Sequence, residues 1–373
     1  MIKLFKIVLS IAALLLVAFS NKPNDRDEVI SIIHRVNHYW QSQNPIHKRA
    51  FWDNAVYHTG NMEAYFLTRN EIYREYSEAW ANHNEWKGAK SDRKEKWKSS
   101  YGETNEYVLF GDYQACFQTY CDLYTINPDP KKIKRAREVM EYEMNTKHHD
   151  YWWWADGLYM VMPVMTKLYK ITENPQYLDK LYEYCLYTDS LMYDPTEGLY
   201  YRDARYVYPK HISGNGKKDF WARGDGWVIA GLAKVLKDLP LTYKQHDFFA
   251  QKFKKMANSI AACQQAEGYW TLSMYDAAFA PGPETSGTAL ITYSLLWGIN
   301  NGYLNSKAYS PVCQKAWKYL STVALQRDGK VGYVQPIGDR AIPGQVVNAS
   351  STSNFGVGAF LLAACEMARY LDK

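Results

Sequence analysis

Hydrophobic residues recur at helical spacing along nearly the whole chain, and short breaks rich in Pro, Gly and Asn separate the hydrophobic runs. Asn127-Pro128-Asp129-Pro130 is one such break, and Asn301-Gly302 is typical of a helix end. Pro175 follows another run at a position suited to a first helical turn. The pattern predicts twelve helices, near residues 25–42, 53–69, 71–84, 105–126, 131–146, 155–172, 175–192, 224–239, 243–263, 285–302, 308–323 and 355–371.

The predicted helices are of two alternating kinds. Every second one contains little charge and many small or apolar residues, as at 228–233 and 359–364, and is expected to be buried on most sides. The others are amphipathic, as at 131–146 and 243–263, and are expected to face water. Six buried helices alternating with six amphipathic ones predict an all-α (α/α)6 barrel. No linker interrupts residues 21–373, so we expect one catalytic domain there.

Four polar-aromatic motifs are each predicted at the N-terminal end of a helix. They are WWADG from Trp153, WARGDGW from Trp221, PETSGT from Pro283 and SNFGVG from Ser353. Successive steps from Asp156 to Asp225, Ser286 and Asn354 are 69, 61 and 68 residues, which leaves room for two helices per step. One cluster per helical hairpin predicts a ring of helix N-termini around a single pocket. Trp, Arg and carboxylate side chains around a pocket are typical of a sugar site.

Composition and charge exclude several other classes. The net charge is +5, and no basic stripe suits nucleic acid. The short basic run at 131–137 fits a solvated helix face. Gly224 and Gly226 follow no predicted strand, so a dinucleotide site is rejected. Aromatic residues make up 16% of the chain, and packing between helices must explain most of them, although exposed rings also stack on sugars.

The first 20 residues are typical of a secretory signal peptide. Lys3 and Lys6 precede an apolar run that is too short to span a bilayer, and Ala18-Phe19-Ser20 resembles a cleavage site. We therefore expect an exported, periplasmic protein with no other membrane association. A short uncleaved anchor is the alternative, and release from the cell is left open.

Cysteine and histidine positions do not suggest a metal site. The cysteines are widely separated and mostly lie within apolar runs, so buried free thiols are expected at Cys116, Cys121, Cys185, Cys263, Cys313 and Cys365. No Cys/His ligand spacing is present. His148 and His149 are adjacent and point to different helix faces, so neither a metal nor a cofactor is expected.

Two aspartates are candidates for acid–base chemistry. Asp156 follows the aromatic run at 151–154, and such surroundings disfavour its ionised form and suit a proton donor. An N-cap aspartate is the alternative. Asp112 follows Gly111 and is either a second pocket carboxylate or a cap or packing partner.

Arg223 lies between Trp221 and Trp227, and its planar guanidinium suits bidentate binding of a substrate carboxylate. The alternative is a structural ion pair with Asp225. The long loop at about 193–223 is expected to be ordered and to contain short strand.

Taken in order, these motifs resemble the unsaturated rhamnogalacturonyl hydrolases of glycoside hydrolase family 105, which are related to the unsaturated glucuronyl hydrolases of family 88. The resemblance extends over about residues 30–371. Its carriers are GDY from Gly111, YCDLY from Tyr120, WWWADGLYM from Trp152, residues 221–227, ETSGTA from Glu284, GINNG from Gly298, QPIGD from Gln335 and FGVGAFLLA from Phe355. The family fold is an (α/α)6 barrel, which agrees with the helix count.

The resemblance implies an enzyme that removes the 4,5-unsaturated uronic acid that polysaccharide lyases leave at the non-reducing end of an oligosaccharide. A carboxylic acid protonates C4, water adds at C5, and the resulting hemiketal opens and expels the next sugar. Neither two-carboxylate scheme of ordinary glycosidases applies. The resemblance gives Asp156 the role of proton donor and general acid/base, and Asp112 that of the second pocket aspartate.

Matching positions and their neighbours predict substrate contacts from Trp154, Arg202, His211, Trp221, Arg223 and Trp227. Two positions depart from the family pattern. Asp225 replaces an asparagine, and Arg202 stands where many relatives have a histidine, so the sugar after the uronate is expected to differ from rhamnose. Two alternatives stay open: an (α/α)6 glycosidase acting on ordinary glycosides, and a sugar-binding protein that has lost catalysis.

Overall fold

The computed structural model describes residues 25–373, and the predicted signal peptide lies outside this part of the chain. Its helices are α1 (Asp25–Gln43), α2 (Trp52–Thr68), α3 (Glu71–His83), α4 (Cys116–Ile126), α5 (Pro130–Met144), α6 (Ala155–Thr172), α7 (Gln176–Met192), α8 (Ala222–Asp238), α9 (His246–Ala261), α10 (Thr285–Asn300), α11 (Ser306–Tyr319) and α12 (Asn354–Leu371). Strands β1 (Tyr193–Asp194) and β2 (Leu199–Tyr200) form an antiparallel ribbon after α7.

The even-numbered helices form a closed inner ring. Helix α2 packs against α4, α4 against α6, and the contacts continue through α8, α10 and α12 back to α2. The odd-numbered helices lie outside this ring, with α3 on α2, α5 on α4, α7 on α6, α9 on α8, α11 on α10 and α1 on α12. The predicted (α/α)6 barrel is confirmed.

Burial explains why the two kinds of helix differ in sequence. Every residue of α6 from Ala155 to Thr166 is buried, whereas α9 buries mainly one face. Two inner helices also need glycine at their contact. A Cβ atom at Gly60 of α2 would lie 2.3 Å from the carbonyl oxygen of Gly358 of α12, so the absence of side chains lets these helices meet backbone to backbone.

Some predicted boundaries were wrong. The helix predicted at 105–126 begins only at Cys116, and a separate 3₁₀ turn occupies Gly111–Tyr113. This turn packs closely on α6, because a Cβ atom at Gly111 would lie 2.9 Å from Val161. Helix α8 begins at Ala222 rather than 224, and α11 continues into one π turn at Leu320–Ala324.

The predicted free thiols are confirmed, since all six cysteines are free and all but Cys263 are buried. The basic run at 131–137 is only partly solvated, contrary to prediction. Lys132 and Arg135 are buried, and they form ion pairs with Glu78 and Asp92. Within residues 25–373, no helix combines the length and the apolar character needed to cross a membrane.

The C-terminal ends of the inner helices meet in a network of ion pairs, which we call the paired end of the barrel. Glu63 of α2 accepts hydrogen bonds from Lys237 at 2.5 Å and from Arg369 at 2.9 Å. Lys167 of α6 donates to Asp122 of α4 at 2.5 Å. The N-terminal ends of the inner helices form the opposite, open end, where the predicted site residues lie.

Candidate active site

At the open end, five of the inner helices begin in the same way. The residue before the helix is extended at Phe51, Trp154, Trp221, Glu284 and Ser353. Contacts link neighbouring starts: Arg223 Nη1 lies 3.5 Å from Ser286 Oγ, and Asn354 Nδ2 donates to Asp53 Oδ2 at 2.8 Å. The structure therefore brings the four sequence motifs together at one end of the barrel.

Asp156 is the second residue of α6 and does not cap it. The cap residue is Trp154, which makes no side-chain cap hydrogen bond. The side chain of Asp156 is 12% exposed, and its Oδ2 lies 3.3 Å from Arg202 Nε without a hydrogen bond. Burial raises the pKa of Asp156, although the charges of Arg202 and Arg223 oppose this. A carboxyl in this state can donate a proton at mildly acidic to neutral pH.

Asp112 lies in the 3₁₀ turn before α4 and is buried. Its carboxyl has no hydrogen-bond or ion-pair partner within residues 25–373. Burial, followed by the negative charge of Asp156, raises the pKa of Asp112 well above its ordinary value. The two carboxyls are therefore close enough to influence each other, and Asp112 is the more strongly held in its neutral form.

The segment between α7 and α8, residues 193–221, carries Arg202 to Asp156, and we call it the arm. Ala155 N donates to the carbonyl oxygen of Arg202 at 2.8 Å, which joins the arm to the start of α6. Arg202 Nη1 donates to Asp203 Oδ2 at 2.7 Å. The predicted order and short strand in this loop are thus present, since β1 and β2 begin the arm.

Arg223 is held differently from the predicted carboxylate clamp. It is 1% exposed, and its terminal nitrogens donate to the carbonyl oxygens of Gln335 at 2.7 Å and Pro336 at 3.0 Å. Its guanidinium lies 4.6 Å from the Trp221 ring centroid and 4.9 Å from that of Phe355. The two terminal nitrogens therefore donate to backbone carbonyls, while the Nε of Arg223 is buried without a hydrogen-bond partner.

The predicted tryptophans lie at the site but are covered. Trp154, Trp221 and Trp227 are each at most 2% exposed, so their rings offer little surface for a sugar. Trp153 is partly exposed and lies under the Arg202 guanidinium at 5.9 Å, and Trp52 at the start of α2 is also partly exposed. The available stacking surface therefore comes from Trp52 and Trp153 rather than from the three predicted rings.

His211 lies further along the arm. Its Nε2 is 2.9 Å from Asp219 Oδ2, and its ring packs edge-on against Tyr206 at 5.0 Å. Tyr206 in turn donates to Asp339 at 2.8 Å. No direct contact joins His211 to Asp156 or Asp112, so it lies at the rim of the site.

The ion pair between Arg223 and Asp225 that was the alternative interpretation of Arg223 is absent. Asp225 is fully buried, its Oδ1 accepts from Tyr200 N at 2.8 Å, and its Oδ2 has no partner. Burial raises the pKa of Asp225 well above its ordinary value. The side chain is therefore bonded to the backbone of β2 rather than to a cation.

Sequence reasoning missed three contributors to the site: Trp52, Asp53 and Glu284. Glu284 accepts hydrogen bonds from Ser286 N, Gly287 N and Gln335 N, which fixes the start of α10. Trp52 and Asp53 open α2, and a tryptophan followed by an aspartate also marks the start of α6 at Trp154 and Asp156. Among residues 25–373, no group of three His, Cys, Asp or Glu side chains is arranged to hold a metal ion.

Comparison with known proteins gives consistent matches over nearly the whole chain. The model of glycosyl hydrolase family 88 matches residues 26–371. An unsaturated 3S-rhamnoglycuronyl hydrolase from Formosa agariphila is 34% identical over 343 residues, which cover 88% of this chain and 87% of that protein. These matches agree with the resemblance to families 105 and 88 found in the sequence.

Two solved structures are similar at higher identity. One is described as a polysaccharide lyase; it is 72% identical with a TM-score of 0.92, and the match covers 93% of this chain and 98% of the other. The second is a glycosyl hydrolase family 88 protein from Bacteroides vulgatus. It is 63% identical with a TM-score of 0.91, and the match covers 92% of this chain and 99% of the other.

Proposed function

The chain belongs to glycosyl hydrolase family 88, and we propose that it removes a terminal 4,5-unsaturated uronic acid from oligosaccharides produced by polysaccharide lyases. The class of activity predicted from the sequence is confirmed by the family and by the named relative. The roles of individual residues are our proposal. The observation that carries them is the buried Asp156 carboxyl beside Arg202, with a second carboxyl, Asp112, close by.

The proposed reaction uses one carboxyl twice. Asp156 donates its proton to C4 of the substrate, and positive charge develops at C5 next to the ring oxygen. Water then forms a bond to C5 and returns a proton to Asp156. The hemiketal opens as the bond between C5 and the ring oxygen breaks and the proton of the C5 hydroxyl passes to the ring oxygen, which leaves a ketone at C5 and a hemiacetal at C1. The hemiacetal then becomes an aldehyde, and its hydroxyl proton leaves with the next sugar, which is released as an alcohol. The raised pKa of Asp156 suits the first step.

Electrostatics disfavour an ordinary two-carboxylate glycosidase at this site. Such enzymes need one ionised carboxylate as nucleophile or base. Asp112, the second carboxyl here, has a pKa raised well above its ordinary value and no cation within bonding distance among the described residues. We propose that Asp112 positions the substrate and that Trp52 and Trp153 support the sugar ring.

The sugar that follows the uronate is the least constrained part of the substrate. The relative from Formosa agariphila is named for a rhamnoglycuronyl substrate. Arg202 instead supports the expectation of a sugar other than rhamnose. A fair substrate panel therefore contains unsaturated uronic acid linked to rhamnose and to other sugars, prepared as lyase-cut rhamnogalacturonan, glycosaminoglycan and arabinogalactan fragments.

A lyase is the second candidate, because the solved structure at 72% identity is described as one. The two activities change ultraviolet absorbance in opposite directions. A lyase creates the C4=C5 chromophore in an intact polysaccharide, whereas the proposed hydrolase destroys it in a lyase product. We expect absorbance to fall with one member of the panel, together with release of the next sugar by mass spectrometry. A rise with uncut polysaccharide would identify the lyase, and no change with any substrate would contradict both.

We also propose that the protein is exported to the periplasm. The charged start, apolar run and small residues of the first 20 positions support this. Fractionation of cells that express the full chain tests it: periplasmic protein lacking these residues is expected, and full-length protein in the cytoplasm would contradict it.

A further inference from the structure

Arg202 lies next to two carboxylates but forms a hydrogen bond with only one of them. Its Nη1 donates to Asp203 at 2.7 Å, but its Nε, 3.3 Å from Asp156 Oδ2, is buried without a hydrogen bond. Asp203 does not depend on Arg202, because Arg205 donates to both of its carboxylate oxygens, at 2.9 and 2.8 Å. Arg202 is therefore loosely attached to Asp156 and replaceable at Asp203.

Substrate chemistry places a second anion near this guanidinium. The carboxylate of an unsaturated uronic acid is bonded to C5, the neighbour of the carbon that receives the proton. Once Asp156 contacts C4, the uronate carboxylate lies within a few ångströms of the groups that surround Asp156. Of the two arginines there, Arg223 is anchored by two backbone carbonyls, although its Nε is also buried without a partner. Arg202 is the arginine that lies against Asp156, so it is the cation whose movement to the incoming carboxylate would change the charge beside the acid.

This inference rests on the proposed function. We propose that Arg202 exchanges partners when substrate binds, leaving Asp156 for the uronate carboxylate, so that binding itself makes Asp156 take up the proton that it then donates to C4. The proton comes from solvent when Asp156 is ionised in the free enzyme. After C4 is protonated, the attacking water supplies the next proton to Asp156. Arg202 thus acts as a positioning residue that couples recognition of the substrate's charge to the protonation state of the acid.

Other charged groups near Asp156, Arg202 and Arg223 also influence the protonation of these side chains. Asp156 faces Asp112 from the turn before α4, Arg202 from the arm and Arg223 from α8. The further charges acting on these groups are Asp53, Glu103, Asp203, Asp339 and Glu284. None of these is a cation that could replace Arg202 beside Asp156.

The test compares two pH profiles of the full-length wild-type enzyme. The pH at which kcat/KM falls reports the pKa of the acid in the free enzyme, and the pH at which kcat falls reports its pKa in the substrate complex. When substrate binds, Asp156 loses the nearby positive charge of Arg202 and gains the nearby negative charge of the uronate, and both changes favour its protonated form. We therefore expect kcat to fall at a pH about one unit higher than the pH at which kcat/KM falls. Coincident profiles would overturn the proposal, whereas failure to consume any unsaturated uronide would overturn the proposed function itself.

Variants identify the cation responsible. Arg202→Gln is expected to move the fall of kcat/KM to higher pH by about one unit and to raise KM about tenfold. Lys210→Gln is the matched control, because it removes a positive charge from an exposed position of the same arm that contacts neither Asp156 nor Asp203. We expect it to leave both profiles in place.

A kcat/KM profile of Arg202→Gln that coincides with the wild-type profile would overturn the assignment. Circular dichroism and thermal melting check that the variant folds. Arg202→Lys, which retains the charge, is expected to restore most of the wild-type KM, and it serves as the second variant if the glutamine form does not fold.

Discussion

The two ends of the barrel both bury carboxylates, but they balance the charge of those carboxylates in opposite ways. At the paired end, the charges of Lys237 and Arg369 outweigh burial and hold the pKa of Glu63 well below its ordinary range. Lys167 and Lys170 likewise keep the pKa of Asp238 low. These groups are ionised, and each is matched by a cation from a neighbouring helix.

At the open end the same burial is not offset. Burial raises the pKa values of Asp156, Asp112 and Asp225, and Arg202 and Arg223 only moderate the effect at Asp156. The partial positive charge of the helix N-termini does not compensate for the missing cations at this end. A buried carboxyl without a matched cation is costly for folding and useful for proton transfer. The comparison therefore separates the end that holds the ring together from the end that carries chemistry.

The sign of the pH dependence follows from these shifts. A carboxyl with a lowered pKa in the folded state stabilises the protein above its unfolded pKa, and that stability is lost as pH falls. A carboxyl with a raised pKa does the reverse, because ionisation at higher pH destabilises the folded state. The paired end is thus expected to weaken in acid and the open end in base.

The largest expected effect is on turnover at the open end. Asp156→Asn removes the proton donor, so we expect kcat to fall by about a thousandfold or more while the melting temperature stays near that of wild type. Loss of absorbance on the best substrate measures it. Asp150→Asn, an exposed aspartate just before α6, is the control. Activity of Asp156→Asn within tenfold of wild type would remove Asp156 from the mechanism.

The next effect is on stability at the paired end. Lys167→Met removes the one ion-pair partner that Asp122 has within residues 25–373 and weakens the pairing of Asp238, so the free energy of unfolding should fall by about 3 kcal/mol. The kcat of the folded enzyme should change less than twofold. Lys170→Met removes a 55% exposed lysine from the same Asp238 and should cost about 0.5 kcal/mol or less. Equal losses in the two variants would contradict the ranking.

Glu143 of α5 gives a further test of the comparison between the two ends. It is fully buried and accepts from Gln114 Nε2 at 2.6 Å, just after the turn that carries Asp112. Burial raises its pKa from 4.5 to about 8, even though the bond from Gln114 opposes this. Its contribution to stability is therefore expected to decline as pH rises from about 4.5 to 8.

Denaturant unfolding of Glu143→Gln checks this decline. The variant should keep the bond to Gln114 and gain about 3 to 4 kcal/mol relative to wild type between pH 5 and 8. Glu141→Gln, partly exposed on the same helix, should show no such change. A variant that follows the wild-type pH dependence throughout would show that Glu143 ionises normally.

The smallest effect is expected at Asp225. Asp225→Asn retains the oxygen that accepts from Tyr200 N and removes a buried carboxyl whose pKa is raised well above its ordinary value. We expect kcat/KM within about twofold of wild type and a smaller loss of stability in base, measured by thermal melting from pH 7 to 10. A tenfold loss of kcat/KM would instead place the Asp225 charge in the working site.

The sequence allowed prediction of the ring and of the helix starts, because both depend on local signals. Alternating buried and amphipathic runs gave the twelve helices, and Asp156 stood out because it follows three tryptophans at a helix start. Asp112 was identified as a candidate, but the turn that holds it was mistaken for helix. Gly111 packs against Val161 there, a contact between distant parts of the chain that local periodicity does not report.

Contacts between distant segments were also the source of the errors at the site. Whether Trp153 or Trp154 is exposed depends on how the backbone enters α6, not on composition. The partners of Arg223 are the carbonyls of Gln335 and Pro336, more than a hundred residues away. The partner of Asp225 is likewise a backbone amide of the arm rather than the adjacent arginine.

The way in which the arm is attached has a consequence for how such enzymes diversify. The hydrogen bond from Ala155 N to the carbonyl of Arg202 joins two peptide groups, and any residue at position 202 can make it. A substitution there would exchange the side chain next to Asp156 without loosening the arm. On the proposed mechanism, one change at position 202 would thus adjust the acidity of Asp156, and with it the pH at which the enzyme works, while leaving all twelve helices unchanged.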